Sequence, residues 1–170
     1  MYLCGIMEIK VEAYTDQYKQ QVVELIVPIQ QEEFNIPITP ADQPDLQQIP
    51  TFYQNNNGNF WLAIKDGRVV GTISLLDIGN HQGALRKMFV HKDYRGKEHG
   101  TARLLLNTLF SWAKEKAYTD IYLGTTARFL AAHRFYEKNN FEEVTVPELP
   151  ASFPRMEVDV KFYRYKVSAK

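Results

Sequence analysis

Apolar and polar positions change period several times along this chain of 170 residues, and each change marks an element. Residues 7–11, MEIKV, alternate and predict a first strand, preceded by an optional extension over residues 1–6. Val22, Val23, Leu25 and Ile26 then recur at helical spacing, with Asp16 as the expected N-cap and Pro28 as the stop or kink. The stretch NIPITPADQPDLQQIPTFYQNNNGN holds four prolines and a run of asparagines, so it reads as a loop with one short helix over Pro44 to Tyr53. A loop that long inside a compact domain usually has a task.

The period then shortens. NFWLAIKDGRVVGTISLLDI is two apolar runs around Asp66-Gly67, a strong hairpin signal, and GALRKMFV supplies a third strand. Leu104, Leu105, Leu109, Trp112 and Ala113 return to helical spacing and predict a helix over about residues 100–117. DIYLGTT is a short strand. ARFLAAHRFYEKNN is a helix closed by Asn139-Asn140, since asparagine accepts a left-handed cap. FEEVTV and VKFYRYKV read as two last strands, separated by a loop with three prolines. Strand, helix, strand from Met88 to Leu123 implies a right-handed crossover between parallel strands, whereas the hairpin implies antiparallel neighbours. The expected fold is α/β (α+β): a mixed, mostly antiparallel, twisted sheet of about seven strands flanked by about four helices. Residues 1–170 are expected to form a single domain, with no repeat or linker dividing them.

Composition narrows the partners. Lys plus Arg equals Asp plus Glu at 20 each, so the net charge is zero and no footprint for nucleic acid or an anionic membrane exists. A local basic cluster is still compatible with a small anion. The one cysteine, Cys4, excludes an internal disulfide and fits a cytoplasmic protein. No apolar run approaches the ~20 residues of a membrane helix, and MYLCGIMEIK has no signal-peptide pattern. Histidines 81, 91, 99 and 133 are scattered, so no metal is expected.

The chemistry concentrates in MFVHKDYRGKEHGTARLLL, residues 88–106. A strand hands over to a helix through a loop with two glycines, Gly96 and Gly100. The first N–H groups of a helix have no partner and sit at the positive end of its dipole, so such a junction accepts an anion. Glycines let the backbone approach a pyrophosphate closely. Arg95, Lys97 and Arg103 add positive charge. The spacing fits neither the Walker pattern nor the three-glycine dinucleotide pattern.

This loop resembles the coenzyme A loop of the GNAT superfamily of N-acetyltransferases, whose motif is Arg/Gln-x-x-Gly-x-Gly/Ala. Arg95 and Gly100 match its first and last positions, and Glu98 stands at the middle glycine. The resemblance runs from about Phe60 to Phe141, with the C-terminal region similar to small bacterial members. It implies acetyl-CoA as co-substrate and main-chain contacts to its pantetheine arm and thioester from Met88, Phe89 and Val90. It also implies that Gly96, Lys97, Glu98, His99, Gly100 and Thr101 wrap the pyrophosphate, and that Tyr136, in FYEK, protonates the departing thiolate. The cofactor-touching asparagine often found seven residues before that tyrosine is Phe129 here.

The expected reaction is acetyl transfer to a primary amine, of a small molecule, by direct attack in a ternary complex. Cys4 lacks an obvious base, which speaks against an acetyl-cysteine intermediate. Candidates for the base that deprotonates the amine are Glu32, Glu33, Asp77 and His133. Glu32 and Glu33 are also plain solvated carboxylates in an alternative reading, and His133 a packing residue. Arg86 is either a solvated strand residue or a partner for a substrate carboxylate. Phe52, Tyr53, Phe60, Trp61, Phe153 and Met156 form an acceptor pocket, pack the core or make a dimer contact. Two rival functions stay open: a protein amine as acceptor, or a module that kept the fold as a ligand sensor. A homodimer is expected on the ground that the aromatic strand KFYRYKV lies at a sheet edge.

Overall fold

Seven strands form the sheet: β1 (Lys10–Ala13), β2 (Asn59–Lys65), β3 (Arg68–Gly79), β4 (Gln82–Val90), β5 (Asp120–Thr125), β6 (Glu142–Val144) and β7 (Lys161–Lys166). Their spatial order is β1-β2-β3-β4-β5-β7-β6 in a computed structural model that describes residues 8–127 and 130–167. Around it lie α1 (Lys19–Pro28), the single turns α2 (Pro44–Gln47) and α3 (Ile49–Phe52), α4 (Thr101–Glu115) and α5 (Leu130–Lys138). Cys4, Met7, Phe129 and the extension over residues 1–6 lie outside the described residues. Among the described residues no helix is long and apolar enough to cross a membrane.

β2 shows why the central runs are apolar throughout. Phe60, Leu62 and Ile64 pack with Val22, Leu25 and Ile26 of α1, while Trp61 and Ala63 pack with Leu105, Leu106 and Leu109 of α4. Successive side chains point to opposite faces, and both faces are covered, so no polar alternation survives. The hairpin turn holds Asp66 at φ 53° and Gly67 at φ 77°, the two left-handed positions a two-residue turn between β2 and β3 requires. On α4 the buried face is Leu105, Leu106, Leu109 and Ala113. Leu104, expected in that stripe, is 41% exposed, because it falls about 100° from Leu105 on the solvent side.

The ends of α1 differ in detail from the expectation. Asp16 sits inside a 3₁₀ turn, Asp16–Tyr18, behind Thr15 at the cap position, and accepts from the Tyr14 hydroxyl at 3.0 Å. Pro28 closes α1, and the chain continues as a wider π-helical turn, Ile29–Glu33. Asn140, at φ 72°, ends the turn after α5. The expectation that KFYRYKV is an edge strand is overturned: β7 pairs antiparallel with β5 on one side and with β6 on the other. Its aromatic side chains are covered from within the chain, with Tyr165 stacked on Phe110 of α4 at 4.1 Å and Tyr163 fully buried. The edge argument for a dimer therefore loses its premise.

Two irregularities shape the centre of the sheet. β4 and β5 are parallel and paired only over Gln82–Ala84 and Asp120–Tyr122, after which no register pairs join them. Opposite β3 the register of β4 shifts between Arg86 and Phe89, and the extra residue, Lys87, has φ 55°. That is a β-bulge with a non-glycine residue in the left-handed region, a conformation that needs support from its surroundings.

Candidate active site

The gap between β4 and β5 opens into two cavities, of about 470 Å³ and about 140 Å³. They share Leu85, Arg86, Lys87 and Phe89 from one strand and Gly124 and Thr125 from the other. The larger runs along β4 toward Gly96 and α5. The smaller runs the opposite way, to Gln30 and Ile38 and to the loop containing Phe153, Met156 and Asp159.

In the larger cavity the wall is Met88, Phe89 and Val90, and the floor is formed by Arg95 and Gly96 with Ala102 of α4. Gly96 has φ 100°, and its carbonyl accepts from the N–H groups of His99 and Gly100 at 3.2 and 3.1 Å, which curls the loop. Two N–H groups expected to reach a pyrophosphate thus have a partner within the loop. Gly100, left-handed at φ 66°, leads into α4, whose first N–H groups have no intrahelical acceptor. The Thr101 hydroxyl is buried there without a hydrogen-bond partner among the described residues. A buried orphan donor at a helix N-terminus, beside curled glycine backbone, fits a phosphate oxygen.

The charges around this loop are less simple. Arg95 donates from Nε to the Val90 carbonyl at 2.8 Å and meets Glu33 of the π-helical turn at 2.7 Å. The Lys97 and Lys138 ammonium groups lie close enough for Lys97 to hold the pKa of Lys138 below the ordinary lysine value. Glu98 folds back so that its carboxylate covers Gly96, where a Cβ would collide with it. The side chain at the family's middle glycine position therefore lies over the cradle, while remaining exposed to solvent.

Tyr136 reaches the same cavity from α5. It is buried, and its hydroxyl points at the Met88 sulfur at 3.7 Å, a weak acceptor that leaves the proton available. Burial alone pushes its pKa well above the usual tyrosine value. His133, one turn earlier, is tied to the Thr126 carbonyl at 2.8 Å. Asp77, near the end of β3, accepts from the Gly79 and Asn57 N–H groups, and Glu32 is exposed; neither lines either cavity. Of the expected acceptor aromatics, Phe153 and Met156 line the smaller cavity, whereas Tyr53, Phe60 and Trp61 belong to the two cores. Phe52 is 40% exposed, with the Arg86 guanidinium 5.7 Å from its ring.

Sequence patterns missed a polar network under the smaller cavity. Gln30 and Gln43 exchange amide hydrogen bonds at 3.1 and 2.8 Å, and Lys87 donates to Gln43 at 2.5 Å. Asp45, 6% exposed, accepts from the Tyr53 hydroxyl at 2.6 Å and faces Lys87 at 3.6 Å and Arg86 at 4.0 Å. Above it, the buried Thr125 hydroxyl has no partner among the described residues, and Asp159 packs against the backbone of Gly124. The only sequence signal was that the proline-rich insertion carried several amides and acids. Among the described residues no group of three or more His, Cys, Asp or Glu side chains is arranged to hold a metal ion.

Comparison with known proteins bears on this geometry. The model of the acetyltransferase (GNAT) family matches residues 22–141. A crystal structure of a GNAT-family acetyltransferase from Staphylococcus aureus Mu50 is 42% identical, covers 94% of this chain and 99% of that one, and superposes with TM-score 0.90. A coenzyme A complex of an N-acetyltransferase from Thermoplasma acidophilum, 16% identical, covers 94% of this chain and 99% of that one, and shares the fold with TM-score 0.71. The N-acetylaspartate synthetase of Xenopus tropicalis is 38% identical over 112 residues, 64% of this chain and 40% of that protein. The chain spans less than half the length of the curated relatives it matches.

Proposed function

The chain belongs to the acetyltransferase (GNAT) family, and from that premise we propose that it moves the acetyl group of acetyl-CoA to the primary amine of a small molecule, by direct attack with both substrates bound. We read residues 1–170 as one acetyltransferase domain. The observation that carries the proposal is the meeting of two cavities at the β4–β5 gap, one of them ending at the glycine loop before the α4 N-terminus, a type of junction that accepts an anion.

Acetyl-CoA supplies the thioester that the amine attacks. The chain's own groups do the rest. The N–H groups between Gly96 and Thr101 that are not bonded to the Gly96 carbonyl, with the α4 N-terminus, hold the pyrophosphate, helped by Arg95 and Lys97. Main-chain groups of Met88, Phe89 and Val90 line up the pantetheine arm and polarise the carbonyl. Tyr136 gives its proton to the leaving sulfur. Its raised pKa keeps the phenol protonated, and the same dry surroundings make the thiolate a stronger base, which keeps the transfer feasible. An ammonium acceptor loses two protons in the course of amide formation. One replaces the proton donated by Tyr136, and the other reaches solvent. The smaller cavity, about 140 Å³, favours a small molecule over a peptide.

The test is calorimetric titration of acetyl-CoA, followed by thiol release across a panel of amines. Micromolar binding and turnover on at least one amine are expected. Absence of both would sink the proposal, and binding without turnover would favour a ligand sensor.

A further inference from the structure

The acceptor cavity has a charge pattern that specifies more than an amine. In a regular strand Arg86 and Lys87 would point to opposite faces. The bulge at Lys87, with φ 55°, cancels that alternation and brings both side chains to one side, facing a single oxygen of Asp45. Neither contact is tight: the nitrogens lie 4.0 and 3.6 Å from Oδ2, which is already taken by the Tyr53 hydroxyl at 2.6 Å. Two cations therefore share one buried carboxylate. Burial is the main cause that holds Lys87 below the ordinary lysine pKa; Asp45 works against it and the neighbouring Arg86 charge with it, so one carboxylate does not offset burial and the second cation. Both cations line the smaller cavity, and Asp45 lies beneath it.

At the other end of this cavity stands Asp159. Its carboxylate accepts from the Met156 N–H at 3.1 Å and lies against Gly124, where any Cβ would come within 2.6 Å of it. The absence of a side chain at Gly124 is what allows an acid to sit at the β4–β5 gap. Burial raises its pKa above the ordinary aspartate value, against the opposing pull of the Met156 N–H and of the Arg86 charge. The orphan Thr125 hydroxyl lies at the same gap.

We infer that the acceptor is an amino acid, with its carboxylate received by Arg86 and Lys87 over Asp45 and its amine directed to Asp159 at the gap where the two cavities meet. The inference rests on the acetyltransferase reading. A substrate carboxylate supplies the missing negative charge beside the two cations, and Arg86 can meet it with two parallel N–H groups. Asp159 faces the ammonium and takes the first of its protons. The charged groups lining the cavity with Asp159 are Arg86 and Lys87. Because these cations are fixed by a bulge and a buried network, selectivity is built into the backbone and not into a flexible surface.

Matched acceptors test this: glycine, β-alanine and L-aspartate against their amides, with thiol release as the readout, in wild type, Arg86→Gln, Arg86→Lys and Asp159→Asn. Far-UV circular dichroism and acetyl-CoA calorimetry show which variants are folded. At least one acid is expected to exceed its amide about 10- to 100-fold in kcat/KM, mostly through KM, the range of a charge-assisted hydrogen bond. That preference should fall at least severalfold in Arg86→Gln, where Lys87 alone remains, and partly return in Arg86→Lys. Asp159→Asn should lower kcat on the same acid at least tenfold. Amides used as well as acids, or an acid preference undiminished in Arg86→Gln, would overturn the inference and leave acetyl transfer standing. Acetyl-CoA binding with turnover on neither set would overturn it as well. No acetyl-CoA binding by the wild type would instead remove the parent reading.

Discussion

The two cavities that meet between β4 and β5 are built in opposite ways. Beyond the wall that the two share, the larger draws mainly on Met88 to Ala102 and Leu130 to Tyr136, with Ile29 and Phe34 at the ends of the π-helical turn, and much of its expected chemistry is main-chain. The smaller is assembled from distant pieces: the π-helical turn near Gln30, the bulge at Lys87 with Gln43 and Asp45 of the proline-rich segment against it, and the loop at Asp159. Its chemistry is side-chain, buried and charged. A cofactor shared across a family suits a site made from local backbone geometry, which tolerates sequence change. An acceptor suits a site whose specificity resides in a few side chains brought in by an insertion.

The comparison is broken most directly at Tyr136, in the larger cavity, and at Gly124, on the wall that both share. Tyr136→Phe removes the proposed acid but keeps the ring in its packing with Phe141 and Tyr163. We expect kcat to fall about 100-fold with acetyl-CoA affinity nearly unchanged, the low end for a lost general acid. A kcat within twofold of wild type would return Tyr136 to a packing role. Gly124→Ala comes next. Its methyl group would meet the Asp159 carboxylate at 2.6 Å and Phe162 at 3.0 Å, so the acid must leave the gap. We expect kcat/KM for the acceptor to fall by about tenfold or more, with the cofactor side spared, as packing insertions act locally. Equal losses in acetyl-CoA binding and acceptor use would mean that the two cavities do not function separately.

The same contrast explains what was legible in the amino-acid sequence. Asp66-Gly67, Gly96, Gly100 and the FYEK segment carry local turn, cap and motif chemistry, so the hairpin, the loop and Tyr136 could be placed from neighbouring residues. Lys87 and Gln43 are 44 residues apart, and no periodicity links them. The bulge that turns Lys87 inward is a product of strand pairing, not of its immediate neighbours. The order of the last strands was hidden for a related reason. β7 inserts between β5 and β6, although consecutive strands tend to be neighbours, so the edge fell to β6.

Smaller effects test the cofactor side. Glu98→Gln removes the negative charge folded over Gly96 while keeping the side chain's length. At an exposed position the repulsion on a pyrophosphate is screened, so acetyl-CoA should bind only several-fold more tightly, and less so as salt is added. Unchanged affinity at low salt would mean that the carboxylate swings clear when the loop is used.

The smallest change concerns the ion pair that crosses from one side to the other. Arg95 belongs to the loop proposed to hold the cofactor and Glu33 to the turn that borders the proposed acceptor segment, and their atoms are 2.7 Å apart with the side chains 41% and 32% exposed. An exposed pair of this kind contributes about 0–1 kcal/mol, so Glu33→Gln should leave the melting temperature nearly unchanged. Its consequence should appear in binding. Arg95 keeps its Nε bond to the Val90 carbonyl, and its freed Nη groups can turn toward a pyrophosphate. Acetyl-CoA should then bind about two- to threefold more tightly at low ionic strength, a difference that fades at high salt. Weaker binding instead would mean that Glu33 holds Arg95 in its working position. The turn beside the acceptor segment would then help to set the cofactor loop, and the two sites would have to be treated as one coupled unit.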